Sequence, residues 1–404
     1  MNMITKEYYI PTKGSKKHAA GRWILDHALF FLKGKLKEKP KDILINKINK
    51  ILIIDNGHIG DVVMSTSIFR EIKKAYPNII IDVLTTSLTK PLLDKNPYIN
   101  KIITSELFWR KETRNWHTLR KYFSLIRQLR KEEYDMGIAV RSDLPNILTM
   151  WFSKIPNRVA YYNLDGGKPF LTHPIKYAGI PTEYGEIKDM HAMEADSRLI
   201  AEALPLHLNW EGIDETPEIF VDKQDVAYTD CFFACLNVGH YICIVPGACA
   251  KLQTWNRENY RAIIKWIKKE YPAHYIILAG GKDDEELINY LSLNSDKCIK
   301  LIDYNLRHLG TVFDNADAVL LQDGGPMHIA YTMMKDADRK LFILWGPNPL
   351  DHVAPLKGKL IHHKLDCYPC MRREDKCKRS EGQRCMDLIS VEEVKKEIEK
   401  CLKN

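Results

Sequence analysis

Four short segments of the chain hold residue types whose spacing can do chemistry. In Asp323-Gly324-Gly325-Pro326-Met327-His328, a carboxylate and two glycines precede a proline suited to a first helical turn. The glycines let backbone approach a ligand closely, and free N–H groups with the helix dipole suit a diphosphate. Asp323 can accept hydrogen bonds from sugar hydroxyls; the alternative is a tight turn with His328 packed against its neighbours. The second segment is Gly57-His58-Ile59-Gly60-Asp61, directly after an apolar run. Asp61 can take a proton from an acceptor hydroxyl, and it reads equally as the N-cap of a helix starting at Val62. The glycine spacing there is not the dinucleotide fingerprint.

The third segment, Pro246-Gly247-Ala248-Cys249-Ala250-Lys251, offers Lys251 either as a cation for a departing phosphate or as a solvated lysine. Asp283 and Asp284 follow Gly280-Gly281 and suit ribose hydroxyls, or equally the dipole of a helix start. The fourth segment holds Cys367, Cys370, Cys377 and Cys385. One CxxC pair with two further thiols fits tetrahedral zinc or iron in a closed, structural site; reduced free thiols are the alternative.

These segments need elements to position them. Ile51–Ile54 is a continuous apolar run, as expected for a strand buried on both faces. A helix over Val62–Ala75 and a strand over Ile79–Leu84 complete a βαβ unit, which implies a parallel sheet. Further strands are expected at Lys101–Ile103 and Met136–Val140, and helices at Trp116–Lys131 and Met190–Leu204. The second half repeats the pattern with strands at Tyr241–Val245, Tyr275–Ala279, Ala318–Leu321 and Leu341–Trp345. Each of these ends in a glycine-containing turn. In open parallel sheets the carboxyl ends of strands are where ligands bind. A helix is expected over Asn259–Glu270, and a closing one over Ser390–Lys403, capped by Ser390 with Glu393 three residues on.

The expected organisation is an N-terminal basic amphipathic extension over 1–45, α/β domains over 46–215 and 216–388, and a C-terminal helix over 389–404. Within the extension, Trp23-Ile24-Leu25 and Ala28 to Leu32 lie between lysines. Such a helix can rest on an anionic membrane or dock on the protein. A length of 404 residues favours two domains, and 45% apolar with 28% charged residues is ordinary for a globular protein. No window holds about 18 consecutive apolar residues, so no spanning helix is expected. The start lacks a signal peptide's apolar core, which points to the cytoplasm. The net charge of +8 suits an acidic partner. Nucleic acid is not expected, because no zinc-finger, RNP or basic-zipper pattern is present.

In order and spacing these motifs resemble glycosyltransferase family 9, the ADP-heptose heptosyltransferases of Gram-negative bacteria. The match runs from about Lys50 to Val394. It takes in Ile59-Gly60-Asp61-Val62-Val63, Ala75-Tyr76-Pro77, His191 with Glu194-Ala195, and Pro246-Gly247-Ala248. Trp255, Asp323 to His328, Gly346-Pro347, Cys367-x2-Cys370 and Cys385-Met386 complete it. The resemblance implies a GT-B fold, two Rossmann-like domains with parallel sheets facing across a cleft, whose last helix often crosses back to the first domain. It implies inverting transfer from ADP-heptose to a hydroxyl of the lipopolysaccharide inner core, with no metal for catalysis. Asp61 takes the place of the base, assisted by Lys251. Gly60, Pro246, Gly247, Asp283 or Asp284, Asp323, Gly324, Gly325 and His328 take the donor site.

The chain departs from the family pattern at two donor positions. Gly324 stands where the family has Thr or Ser, and Gln253 where it has lysine. One subgroup modifies autotransporter proteins and carries a four-cysteine iron site, so a protein acceptor is an alternative. A sugar-nucleotide-binding protein without transfer activity is another. Contact with the cytoplasmic face of the inner membrane is expected to be peripheral.

Overall fold

The computed structural model describes residues 47–106, 115–177, 190–204, 210–248, 250–292, 295–370, 377 and 384–403. The N-terminal extension expected over 1–45 lies outside them, as does Cys249. The chain divides after Pro217 into two compact units.

The first unit is built on six strands: β1 (Lys50–Ile54), β2 (Ile80–Thr85), β3 (Lys101–Thr104), β4 (Met136–Ala139), β5 (Asn157–Tyr161) and β6 (His173–Ile175). All pair in parallel in the order β3-β2-β1-β4-β5-β6. Its principal helices are α1 (Ile59–Ser65), α2 (Ser67–Ala75), α3 (Trp116–Lys131), α4 (Leu144–Phe152) and α5 (Ala192–Ala203). Successive residues of a strand point to opposite faces. Ile51 and Ile53 therefore join one buried cluster with Ile68, Ile72 and Leu199. Leu52 and Ile54 join the other, with Leu125, Leu129 and Met150. Both faces are covered, which is why β1 reads as an unbroken apolar run.

The second unit repeats the plan. Its strands are β7 (Tyr241–Val245), β8 (Tyr275–Gly280), β9 (Cys298–Ile302), β10 (Ala318–Gln322), β11 (Leu341–Trp345) and β12 (Lys359–His362). They form a parallel sheet in the order β12-β11-β10-β7-β8-β9. Its main helices are α6 (Lys223–Cys235), α7 (Arg257–Glu270), α8 (Glu285–Leu291), α9 (Leu306–Asn315), α10 (Gly325–Met333) and α11 (Val391–Lys403). Both sheets have the doubly wound order, which reverses between β1 and β4 in the first and between β7 and β10 in the second. Ligands settle at such reversal points, outside the carboxyl ends of the strands.

Two expectations are corrected. The single helix expected over Val62–Ala75 is two, α1 and α2, meeting at Thr66. Helix α1 starts at Ile59, so Asp61 is not an N-cap before Val62 but lies in the first turn. The last helix, α11, buries Val394, Ile398 and Cys401 among Ile263, Ile267 and Ile389 of the second unit. Ser390 Oγ does cap it, accepting from Glu393 N at 3.1 Å.

Candidate functional site: a carboxylate cluster and a glycine cradle

At the first reversal point the chain leaves β1 into Asp55, which is fully buried. Its Oδ2 accepts from Ser65 Oγ at 2.6 Å and its Oδ1 from Gly57 N at 3.3 Å. The turn then folds tightly back. A Cβ on Gly57 would sit 2.6 Å from Asp61 Cβ, so no larger residue fits there without displacing the carboxylate. Asp61 Oδ2 accepts from His58 N at 2.9 Å, satisfying one orphan donor of the helix start. Gly60 is buried beside it in the same turn.

A residue beyond β4 completes this group. Arg141 places Nη1 3.5 Å from Asp61 Oδ1, Nη2 3.3 Å from Asp196 Oδ2, and Nε 3.8 Å from Asp55 Oδ1. One guanidinium thus faces three carboxylates. Asn56 Nδ2 donates to Asn146 Oδ1 at 3.0 Å, and Asn146 Nδ2 donates to the Arg141 carbonyl at 2.9 Å. These bonds tie the end of β1 to the loop after β4.

A single positive charge cannot support three negative ones out of water. Burial pushes Asp196 up to about 8 against the pull of Arg141, and it pushes Asp55 upward as well. Burial thus favours the protonated form of Asp196. Asp61 is the carboxylate with solvent access, its side chain 28% exposed against 1% for Asp55 and 5% for Asp196.

A carboxyl whose folded pKa lies above the unfolded value of about 3.9 stabilises the fold most below that value. The contribution is lost as pH rises towards 8. Asp196→Asn, an isostere of the protonated form, is expected to flatten the fall in stability between about pH 5 and 8. Urea unfolding across that range measures it; an unchanged slope would refute the assignment.

At the second reversal point, β10 ends at Gln322. Its side chain donates to the Pro246 carbonyl at 2.6 Å and accepts from Trp255 N. Asp323 follows, 5% exposed. Its Oδ2 accepts from Asn348 Nδ2 at 2.6 Å and from Gln253 Nε2 at 3.3 Å. Burial pushes Asp323 up to about 6, opposed by the Asn348 bond. Gly324 is extended, and a Cβ there would meet nothing nearer than Pro326 at 3.9 Å, so the space beside it is open. Gly325 and Pro326 open α10; Pro326 has no N–H and Met327 N donates to the Gly324 carbonyl at 3.1 Å, which leaves the N–H groups of Gly324 and Gly325 without an intrahelical acceptor. Together with the dipole they make a cradle of the kind that suits an anion.

The neighbouring loops press against one another. A Cβ on Gly247 would lie 2.2 Å from Asp284 Oδ1, and one on Gly280 2.8 Å from Asp284 Oδ2. The same Oδ2 accepts from Gly281 N at 2.9 Å. Asp284 is therefore occupied as a turn cap against Gly247, whereas Asp283 is exposed.

The structure does not bring every expected residue to the cradle. His328 is 4% exposed and packs its ring against Tyr331. Lys251 opens a 3-10 turn, Lys251–Gln253, and its side chain lies outside the described positions. Gln253, where the resemblance places a lysine, is instead bonded to Asp323.

The cysteines at 367, 370, 377 and 385 are free thiols. Burial pushes the Cys385 thiol up, and the thiols of Cys370, Cys367 and Cys377 add to the effect. Cys370 N donates to the Pro347 carbonyl at 3.1 Å, which fixes Cys370 beside the turn after β11.

Residue spacing left Asp55, Arg141, Asp196 and Asn348 unrecognised. Two signals were available. Arg141 comes directly after a buried strand, and Asp196 interrupts the buried face of α5 between Ala192 and Leu199.

Comparison with known proteins identifies the family and the fold. The profile of glycosyltransferase family 9 (heptosyltransferase) matches residues 122–381. Lipopolysaccharide heptosyltransferase 2 of Salmonella typhimurium is 25% identical over 334 residues, covering 77% of this chain and 86% of that protein. The structure of the Escherichia coli ADP-heptose LPS heptosyltransferase II superposes with TM-score 0.67 at 23% identity, over 87% of this chain and 98% of that one. The E. coli heptosyltransferase WaaC with ADP gives 0.61 at 16% identity, over 87% and 99%. The two doubly wound parallel sheets are those of the GT-B fold. With its family profile matched over more than half its length, the chain belongs to glycosyltransferase family 9 and is a glycosyltransferase.

Proposed function

We propose that this enzyme transfers a heptose from ADP-heptose to a hydroxyl of the lipopolysaccharide inner core, with inversion at the anomeric carbon. The observation that carries the reading is the position of Asp61. It is the solvent-accessible carboxylate at the reversal point of the first sheet, held by His58 N and Arg141. The likeness to lipopolysaccharide heptosyltransferases supports the donor and the acceptor.

In this mechanism Asp61 accepts the proton of the acceptor hydroxyl as its oxygen attacks the anomeric carbon. Attack comes from the face opposite ADP. The bond from that carbon to the diphosphate oxygen breaks, and its electron pair leaves on ADP. The N–H groups of Gly324 and Gly325, with the α10 dipole, stabilise the departing charge. Lys251 adds a cation to the same group. Asp323 accepts from sugar hydroxyls and Asp283 from the ribose. Pro246, Gly247 and Gly60 let backbone approach the substrates. No metal is required at the reacting carbon.

Cys367, Cys370, Cys377 and Cys385 would hold a zinc or iron ion that pins the segment between β12 and α11, a structural role. Chelation is then expected to lower the thermal midpoint by several degrees without changing the stereochemistry of transfer. A calorimetric scan with and without chelator checks it. No described helix is long and apolar enough to cross a membrane. The proposed location is the cytoplasm, in peripheral contact with the inner membrane where the lipid-linked acceptor lies.

The test is transfer itself. Purified enzyme with ADP-heptose and heptose-deficient core should release ADP and yield the inverted anomer by NMR. Stabilisation by the donor without ADP release would instead identify a binding protein.

A further inference from the structure

We propose that His240, His274 and Asp317 form a binding site for one divalent transition metal ion at the amino-terminal edge of the second sheet. Each residue immediately precedes a strand: His240 before β7, His274 before β8 and Asp317 before β10. These three strands are neighbours in the order β10-β7-β8. Backbone bonds lock their starts in register: Tyr275 N donates to the His240 carbonyl at 2.8 Å, and Asp317 N to the Tyr241 carbonyl at 2.9 Å. Cys401 Sγ, at 3.5 Å, holds the Asp317 carbonyl from the side of α11. The geometry is set by the sheet rather than by a loop.

His240 Nδ1 lies 3.1 Å and His274 Nε2 3.4 Å from Asp317 Oδ2. All three ligand atoms fall within 4.8 Å of one another. Bonds of about 2.0–2.1 Å to a tetrahedral ion separate its ligands by about 3.3–3.4 Å. Both histidine–aspartate edges are already near that length. Rotation of the exposed His240 closes the third.

Hydrogen bonding alone accounts poorly for the group. Asp317 Oδ2 also accepts from Tyr241 N at 3.2 Å. Three donors would then crowd one oxygen with two lone pairs. An ion in place of the two imidazole contacts leaves one lone pair for the metal and one for Tyr241. His274 Nδ1 has no hydrogen-bond partner, so it is free to carry the ring proton while Nε2 binds the ion.

Two imidazoles and one carboxylate select zinc-like ions over calcium or magnesium. Three protein ligands leave an open coordination position, and His240, 68% exposed, gives access. The site lies a strand length, about 16 Å, from the anion cradle. It is independent of catalysis and acts as a clasp on three strand starts.

The test uses full-length protein, stripped of metal and titrated with Co2+, in wild type, His240→Ala and Asp317→Asn. Wild type should bind one equivalent more than His240→Ala. The difference spectrum should show nitrogen and oxygen ligation without thiolate charge transfer, which separates it from ions on the cysteines. Asp317→Asn should weaken that equivalent at least tenfold, and Co2+ should raise the melting midpoint of wild type more than that of His240→Ala. His240 is exposed, so its loss leaves the fold intact. Equal stoichiometry in wild type and His240→Ala, or only thiolate-ligated Co2+, would overturn the proposal.

Discussion

Asp61→Asn is expected to reduce kcat by about 10²–10⁴-fold while leaving donor binding and the melting midpoint close to wild type. General-base catalysis contributes about that factor. The asparagine carbonyl oxygen can still accept from His58 N, so the cap on α1 survives and only proton uptake is lost. Asp61→Ala removes both and should cost about 1 kcal/mol of stability as well. Single-turnover ADP release, with donor affinity measured separately, distinguishes the two. Near-normal turnover in Asp61→Asn would remove Asp61 from the role of base and return the residue to capping alone.

The contrast between Asp61 and its neighbours shows what could be read from sequence. The turn was visible because an apolar run ends in glycines and an acid, and the structure places it at the carboxyl end of β1. Strands β7 and β11 were visible at their full extent because all five residues of each are apolar and buried. Strand β5 was not, because Arg158 interrupts it. That guanidinium is buried and donates to the carbonyls of Phe170 and Ile155, partners that only the folded loop supplies. Strands β9 and β12 close one sheet at its edges and are partly exposed, so lysine and histidine break their patterns. Strand β6 is three residues with a proline at the sheet edge, where no ladder donor is needed.

The partners of Asp61 were hidden for a different reason. Asp55, Arg141 and Asp196 come from the ends of β1 and β4 and from the middle of α5, and only the sheet order makes β1 and β4 neighbours. Spacing along the chain carries no trace of that adjacency. The cradle was more legible, because its glycines and Asp323 are consecutive. Even so, the exchange of the family's lysine for Gln253 gained a structural meaning only when its amide was seen donating to Asp323.

Arg141→Met is expected to destabilise the first unit by about 3–5 kcal/mol at pH 8 and above, and by less at pH 5. The direction follows from the carboxylates left behind. In the native protein Arg141 pulls the pKa values of both Asp55 and Asp196 downward against the effect of burial. Without it both rise further above their unfolded values. A carboxyl with a raised folded pKa loses stability as pH climbs through the interval between the two values. The gap between variant and wild type must therefore widen with pH and narrow as the acids take up protons. Arg141→Lys should rescue only part of the loss, since one ammonium cannot face three carboxylates as a planar guanidinium does. Turnover should fall in both variants, because Asp61 loses the contact on Oδ1 that orients it. Chemical denaturation of the three proteins between pH 5 and 9 measures the widening directly. A loss of stability independent of pH would mean that Arg141 contributes through packing rather than charge, and it would leave the orientation of Asp61 to His58 N and the tight turn at Gly57.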